Sequence, residues 1–367
     1  MFSKCSRLNK EYKAILLIQL GDIGDVVLTI PALKSLRKRY PEARIYVAVR
    51  DKASEIIDDC QLVDETIIIS KAMGSAIKAT KKQFDLFRYL RSLEIEIAID
   101  LRTGDRGGWL AFISGAPIRL GRGEHTSKAS IRSFLFSDLI VPDSEYVANS
   151  YVAAHHDDML ERLGAQPVDM HQQLFIPEHR KERIKNLLRE HNIPQNRPII
   201  AMHPFSLWSY KEWDDKKWED LADKIVRQND ASVIITGALD EYARASHIAS
   251  PENNIYNMAG ATTVGEFPAL IKSCIAVVGV DTAAIHIATM AGVPSVVLFG
   301  PGSTKVWALA EGKHKVLTAS MPCQPCRQKG CDGKGGKSIC LESIMVEDVL
   351  KAVKSLFEGE DKCDFKN

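Results

Sequence analysis

The chain of 367 residues lacks long apolar runs, and no stretch approaches the roughly 18–20 apolar residues that span a bilayer. Its first thirteen residues are polar and charged, without the apolar core of a signal peptide. We therefore expect a soluble protein that stays in the cytoplasm.

Charge of one sign is not in excess either, because 48 Lys and Arg residues balance 47 Asp and Glu residues. A chain this close to neutral has no global field to attract a polyanion, so we expect no nucleic-acid partner. Any anion site must depend on a few placed residues. The length favours two domains over one.

The eight cysteines do not indicate a disulfide framework, because the chain is long and we expect it to be cytosolic, where thiols stay reduced. Half of them follow a short-interval pattern near the C-terminus, at Cys323, Cys326, Cys331 and Cys340. Four thiolates in one Gly- and Lys-rich loop predict a structural zinc ion or an iron–sulfur cluster. The alternative is a set of reduced or partly paired thiols in a surface loop.

The N-terminal half shows the pattern of a parallel α/β sheet. Residues 12–20 form a short apolar run that predicts a buried strand, residues 25–40 have helical spacing, and residues 44–49 predict a second strand. This order is a βαβ unit. Further predicted elements are strands at 65–69, 96–101 and 139–141, and helices at 77–93 and 145–163.

A second series of such units starts at Arg197, with strands predicted at 199–202, 232–236, 275–279 and 295–299 and a helix at 213–228. The fold class is therefore α/β, with two Rossmann-like, doubly wound domains. We expect them to face each other across a cleft, because ligands bind at the carboxyl ends of such sheets. The predicted boundaries are 1–170 and 171–345, followed by a C-terminal helix and tail at 346–367.

The first predicted strand ends in a loop that contains two aspartates, Asp22 and Asp25. Gly24 lets the backbone approach a ligand closely. An aspartate at this place is often only a helix cap, and that reading is equally good for Asp22. For Asp25 we favour a catalytic role, because a carboxylate at the edge of a cleft can accept a hydroxyl proton.

A second constellation opens a helix after a buried strand and contains Asp281, Thr282 and His286. The N–H groups and positive dipole end of such a helix suit a pyrophosphate. Taken alone, Asp-Thr is only a cap signal, and a lone helical histidine is more often a satisfied core residue. Gly300, at the end of the next strand, adds a flexible loop at the same sheet edge.

Two other loops of the second half carry suitable charges. Lys211 lies between the first strand and helix of that half and can reach a phosphate as a point charge. The alternative is a solvated surface lysine. Glu241, after the next strand, can hold a ribose hydroxyl by analogy with dinucleotide folds.

At these residues the sequence resembles glycosyltransferase family 9, the bacterial heptosyltransferases of lipopolysaccharide biosynthesis. IQLGDIGDVVLTIPAL is similar to the opening signature of that family, and GVDTAAIHIATMAGVPSVVLFGP is similar to its donor-site signature. CQPC is similar to a tail seen in many members.

The resemblance implies a GT-B fold and an inverting transfer of heptose from ADP-L-glycero-D-manno-heptose to a lipid-linked inner-core saccharide, lipid A–Kdo or heptosyl-Kdo. It implies that Asp25 is the general base and that Lys211 contacts the donor phosphate. No DxD-type metal site is apparent in the sequence, so we expect that no catalytic metal is required. The donor-site motif is matched by Asp281, Thr282, Ala283 and His286, with Ala283 where glycine is commoner.

The acceptor of such an enzyme carries carboxylates and phosphates, which arginine binds in a bidentate manner. Arg102, Arg106, Arg119 and Arg122 follow the strand that ends at Asp100 and are candidates for this role. Lys78, Lys81 and Lys82 form a basic helical face that meets anionic lipid of the inner membrane or is simply solvated.

Two alternatives to heptose transfer remain open on the sequence. The first is another nucleotide sugar, or a nucleotide-sugar epimerase of GT-B shape, which needs no acceptor. The second is a non-catalytic nucleotide- or metal-binding protein, in which Asp25→Ala would leave function intact.

Overall fold

The computed structural model describes residue 8 and residues 10–70, 76–123, 131–170 and 174–357, with side chains from residue 80 onward in the helix that begins at Ala76. The chain divides into two compact units, Met1–Phe175 (unit 1) and Ile176–Asn367 (unit 2). Each contains one six-stranded parallel sheet. Both sheets are flanked by helices, as the alternation of apolar runs and helical spacing predicts.

Unit 1 has the strand order β3-β2-β1-β4-β5-β6. Its strands are β1 (Ala14–Gln19), β2 (Arg44–Val49), β3 (Glu65–Ile68), β4 (Ile97–Asp100), β5 (Ile118–Arg122) and β6 (Asp138–Ile140). Its helices are α1 (Ile23–Val27), α2 (Ile30–Arg39), α3 (Ser54–Asp58), α4 (Ala76–Ser92), α5 (Asp105–Ser114), α6 (Ile131–Leu135), α7 (Ser144–Asn149) and α8 (Asp157–Glu161).

Unit 2 has the strand order β12-β11-β10-β7-β8-β9. Its strands are β7 (Ile199–His203), β8 (Ser232–Ile235), β9 (Ile255–Asn257), β10 (Ala276–Val280), β11 (Ser295–Phe299) and β12 (His314–Thr318). Its helices are α9 (Glu178–Glu190), α10 (Asp215–Asn229), α11 (Tyr242–Ile248), α12 (Phe267–Lys272), α13 (Ala283–Ala291), α14 (Thr304–Trp307), α15 (Ile339–Glu342) and α16 (Val346–Ser355).

Two predicted helices are wrong in length. The helix predicted over 25–40 is two helices, α1 and α2, because Pro31 at the start of α2 has no N–H to continue the helical ladder. The hydroxyl of Thr29 instead donates to the Asp25 carbonyl oxygen at 2.8 Å. The helix predicted over 145–163 is α7, a 3₁₀ turn at Val152–His156 and α8.

Each core lies between a sheet and its helices. All six residues of β1 are buried, as a strand covered on both faces requires. In unit 2, Trp218 of α10 is fully buried with Leu221 and Ile225 against the sheet, while α16 contributes Val349 and Val353 to the same cluster. Burying each aliphatic side chain of this kind contributes about 1.5–3 kcal/mol.

No helix within the described ranges is long and apolar enough to cross a membrane. In unit 2, β10 lies between β7 and β11. The loops that follow these three strands therefore meet at the carboxyl edge of one sheet, where parallel α/β folds bind ligands.

Candidate functional site

The carboxyl edge of unit 2 holds an ion pair between two predicted donor-site residues. Lys211 Nζ lies 2.6 Å from Asp281 Oδ2, and the Asp281 side chain is only 8% exposed. Lys211 ends a 3₁₀ turn after β7, while Asp281 directly follows β10. The structure therefore brings together two residues that are 70 positions apart in sequence.

Thr282 caps α13 next to this pair. Its backbone is extended, and its hydroxyl makes no bond to the first turn of the helix. Thr282 Oγ1 is a buried atom and finds no hydrogen-bond partner in the described part of the chain. A buried hydroxyl without a partner is costly, so this oxygen is available to a ligand or to water.

The backbone around the ion pair is closely packed. A Cβ on Gly302 would lie 3.4 Å from Asp281 Oδ2, which places the loop after β11 beside the pair. A Cβ on Gly279 of β10 would lie 3.1 Å from the His203 carbonyl oxygen. The sheet edge thus has little room for a larger side chain at Gly279, whereas a Cβ at Gly302 would make ordinary van der Waals contact.

The other predicted donor residues have different surroundings. Glu241 Oε2 accepts the Ala238 N–H at 2.6 Å, and burial raises the pKa of the Glu241 carboxyl. His286 on α13 is buried, with its ring 6.4 Å from the Trp307 ring. Ala283 is the first residue of α13. Gly300 is buried, and a Cβ there would lie 2.7 Å from Leu341 Cδ1.

In unit 1, the structure pairs the candidate base with a predicted acceptor-binding arginine. Asp25 Oδ2 lies 2.6 Å from Arg102 Nη1 and also accepts the Asp22 N–H at 2.9 Å. Gly24 lies beside Asp25 in α1. A Cβ on Gly21 would lie 2.2 Å from Asp25 Oδ2, so glycine is required there. Both bonds hold Oδ2, which leaves Oδ1 to meet a substrate.

Sequence reasoning missed Arg132, a buried residue of α6. Its guanidinium donates to the Arg102 carbonyl oxygen at 3.0 Å and to the Arg122 carbonyl oxygen at 3.1 Å, and it lies 3.4 Å from Asp100 Oδ2. Burial raises the pKa of Asp100 to about 7, although the Arg102 N–H and Arg132 oppose the rise. The signal available in the sequence is that Arg132 lies inside an apolar segment, where an arginine needs buried hydrogen-bond partners.

The remaining predicted acceptor arginines are spread out. Arg106 is exposed at the start of α5, with Nη2 3.3 Å from the Ser70 carbonyl oxygen. Arg119 and Arg122 follow β4 in the chain and lie in the next strand, β5. Arg122 is buried, which lowers the pKa of its guanidinium, and its Nη2 has no hydrogen-bond partner among the described residues.

The structure does not show a metal site at Cys323, Cys326, Cys331 and Cys340, so metal binding by these cysteines stays a prediction. Within the described ranges, which include all four, no group of three or more His, Cys, Asp or Glu side chains could hold a metal ion. Cys340 is buried on α15, whereas Cys323 and Cys331 are exposed. Burial raises the pKa of the Cys340 thiol, and Cys331 and Cys326 raise it further, so these three thiols lie near one another. Cys5 and Cys363 lie outside the described residues.

Two units, each with a six-stranded parallel α/β sheet, are the architecture of the GT-B fold. A solved glycosyltransferase of family 9 from Veillonella parvula shares this fold with a TM-score of 0.79 and 21% identity, covering 95% of this chain and 98% of that one. The structure of E. coli ADP-heptose lps heptosyltransferase II gives a TM-score of 0.76 and 20% identity, over 94% and 98%.

The model of glycosyltransferase family 9 (heptosyltransferase) matches residues 83–335, so the chain belongs to this family. Lipopolysaccharide heptosyltransferase 2 of Escherichia coli strain K12 is 25% identical over 370 aligned positions, which cover 95% of this chain and 99% of that protein. The predicted family, fold class and enzyme class are thereby confirmed.

Proposed function

We propose that this family member is an inverting heptosyltransferase. It transfers heptose from ADP-L-glycero-D-manno-heptose to the lipopolysaccharide inner core, with lipid A–Kdo or heptosyl-Kdo as acceptor. The observation that carries the proposal is the set of Lys211, Asp281 and Thr282 at the carboxyl edge of unit 2, in a chain that belongs to a heptosyltransferase family. A similar solved protein is described as an ADP-heptose enzyme.

The donor diphosphate is assigned to the start of α13. The first N–H groups of a helix lack partners within the helix and favour an anion. The unpartnered Thr282 hydroxyl adds a donor, and Lys211 adds a positive charge already held at 2.6 Å by Asp281. We propose that Ala283 and His286, both in α13, line the donor site together with Gly300 of the adjoining loop. Glu241 is proposed to bind the ribose.

Asp25 is proposed as the general base. Oδ1 would accept the acceptor hydroxyl proton while that oxygen attacks the anomeric carbon of the heptose. The acceptor oxygen attacks from the face opposite the ADP, so the configuration inverts as the bond from the anomeric carbon to the ADP oxygen breaks. The charge released on ADP is stabilised by Lys211 and the α13 N-terminus. The bond of Arg102 to Asp25 Oδ2 fixes the orientation of the base.

The acceptor site is proposed to lie around Gly24, Arg102, Arg106 and Arg122. Arginine suits the carboxylates and phosphates of a core saccharide. Arg122 Nη2 is buried and has no partner within the part of the chain that the structure describes, so its N–H groups are left without a hydrogen bond there. Lys211 and the helix dipole already provide charge neutralisation, so we propose that catalysis requires no metal and that zinc or an iron–sulfur cluster at the four cysteines would serve stability alone.

We also propose that the protein works at the cytoplasmic face of the inner membrane, as a peripheral partner of anionic lipid. On α4, Lys81 and Lys82 are exposed. The nearby Phe84 and Phe87 are also exposed, by 56% and 37% respectively. Apolar and basic side chains on one helix are the combination that interfacial helices use. Lys78 was predicted on this face, but its side chain lies outside the described residues.

The test is a donor screen followed by an acceptor-dependent assay of ADP release. ADP and ADP-heptose should raise the unfolding temperature more than UDP or UDP-sugars, and ADP should appear only when the core acceptor is added. A preference for a uridine nucleotide would assign another donor. Sugar conversion without acceptor would instead indicate an epimerase.

A further inference from the structure

One segment of unit 2, residues 321–343, contacts two loops of the proposed donor site; we call it the bridging segment. It contains the four cysteines near the C-terminus and ends in α15. The first of its target loops follows β7 and ends at Lys211, and the second follows β11 and starts at Gly300. Since β7 and β11 flank β10, these loops lie on the two sides of Asp281 and Thr282.

The contact with the Lys211 loop consists of two short hydrogen bonds that run in opposite directions. Ser338 Oγ donates to the Tyr210 carbonyl oxygen at 2.6 Å, and Ser338 is 2% exposed. Ser209 Oγ donates to the Gly335 carbonyl oxygen at 2.7 Å. These bonds hold the two residues directly before Lys211.

The contact with the second loop uses its backbone carbonyl groups. Gln324 Nε2 donates to the Gly300 carbonyl oxygen at 2.9 Å, and the Arg327 N–H donates to the Pro301 carbonyl oxygen at 2.8 Å. The Leu341 side chain packs where a Cβ on Gly300 would be, at 2.7 Å. The bridging segment therefore holds the loop that lies beside Asp281.

The bridging segment has its own fixed shape. A Cβ on Gly330 would lie 2.3 Å from the Gly336 carbonyl oxygen, so two parts of the segment approach each other closely. Asp332 Oδ1 accepts the N–H groups of Lys334 and Gly336 at 2.9 and 3.1 Å. A segment with internal bonds of this kind can transmit position from one loop to the other.

We propose that the bridging segment sets the spacing between the two loops that enclose the donor diphosphate, and that Ser338 and Gln324 are its positioning residues. The inference rests on the proposed function, since it assigns the diphosphate to these loops. Neither side chain is required to touch the ligand. Each acts by holding a backbone group, so its loss should weaken diphosphate binding without changing the chemical step.

The experiment measures ADP affinity, donor KM, kcat and unfolding temperature in the full chain carrying Ser338→Ala or Gln324→Met. Loss of one hydrogen bond should weaken ADP binding and raise the donor KM by about three- to tenfold. kcat should change less than about twofold, because an interaction equal in ground and transition states affects KM alone. Ser209→Ala, at an exposed position, repeats the test if Ser338→Ala fails to fold.

Two matched controls come from the same segment. Ser343, which follows α15, donates its hydroxyl hydrogen bond to the Ile339 carbonyl oxygen of that helix at 2.8 Å. This bond does not reach either loop, so Ser343→Ala should leave ADP affinity unchanged. Gln328 is exposed, and Gln328→Met should also have no effect. Equal affinities of all variants and the wild type would overturn the proposal, as would equal losses in the controls.

A second readout separates this proposal from the proposed function. The Lys211 N–H donates to the Trp208 carbonyl oxygen at 2.8 Å, and its hydrogen exchange in the free protein should accelerate in Ser338→Ala but not in Ser343→Ala. If the wild type binds no adenine nucleotide, the proposed function fails, whereas unchanged exchange at Lys211 contradicts the bridging role itself.

Discussion

The two sheets have the same strand topology, but the polar side chains at their carboxyl edges differ. In unit 1, carboxylates meet arginines: Asp25 with Arg102 at a partly exposed position, and Asp100 with Arg132 at a buried one. In unit 2, a lysine and an aspartate lie at the start of a helix, beside a hydroxyl that lacks a partner among the described residues. The first edge is suited to holding a base and the second to holding an anion.

The largest expected effect is a loss of turnover when Asp25, at the edge of unit 1, is changed. Asp25→Asn keeps the shape of the side chain but removes the proton acceptor, so turnover should fall about 10²- to 10⁴-fold. Acceptor-dependent ADP release measures this. The neighbouring Asp22 is exposed and paired with Arg50 at 3.2 Å, and Asp22→Asn should keep turnover within a few-fold of the wild type. Equal losses in both variants would remove the special role of Asp25.

The next effect concerns Lys211. Lys211→Ala removes a positive charge from the proposed diphosphate site and leaves the buried Asp281 carboxylate unpaired, so ADP affinity should fall about ten- to hundredfold. Calorimetric titration with ADP measures this. Lys216→Ala, at an exposed position on the same unit, serves as the control. Unchanged ADP affinity in Lys211→Ala would place the diphosphate elsewhere.

A smaller effect is expected for Thr282→Val, which replaces the hydroxyl by a methyl of similar size. ADP affinity should fall about three- to tenfold through the loss of one hydrogen bond. The free energy of unfolding should stay equal or rise, because the buried Thr282 Oγ1 has no partner within the described ranges. A clear loss of stability together with unchanged ADP affinity would show that the hydroxyl serves the fold.

The last effect is a pH dependence of stability, not of activity, and it belongs to unit 1. Burial raises the pKa of Asp100 to about 7, so the folded protein holds a proton there that the unfolded chain has released above about pH 4. The free energy of unfolding should therefore decrease as pH rises from about 4 to 7, and level off above. One proton changes it by at most about 1.4 kcal/mol per pH unit.

Urea unfolding of wild type and Asp100→Asn at pH 5, 6 and 7 tests this. The difference between the two should shrink or reverse in favour of the variant as pH rises, because asparagine carries no titrating proton. A constant difference over this range would mean that Asp100 does not titrate there.

Much of this comparison could be predicted from sequence, because the strands are encoded by short runs of neighbouring residues. β1, β7, β10 and β11 are short apolar runs bounded by glycine or polar residues, and such runs predict buried parallel strands. Asp25, Lys211 and Thr282 are predicted as site residues because each lies in a loop or helix start that follows such a run. β5, β9 and β12 were missed, because Arg119, Asn257 and Lys315 interrupt their apolar pattern.

The contacts that were missed join distant residues. Arg132 reaches the backbone at Arg102 and Arg122, and Ser209 bonds to Gly335, 126 positions away. No periodicity encodes such pairs, since they depend on how the elements pack.

The central claim is that the first edge supplies the base and the second binds the diphosphate, and ADP titration of Asp25→Asn tests it most directly. The account predicts a dissociation constant within about twofold of the wild type in protein that has lost turnover. A loss of ADP affinity as large as the loss of turnover would contradict it.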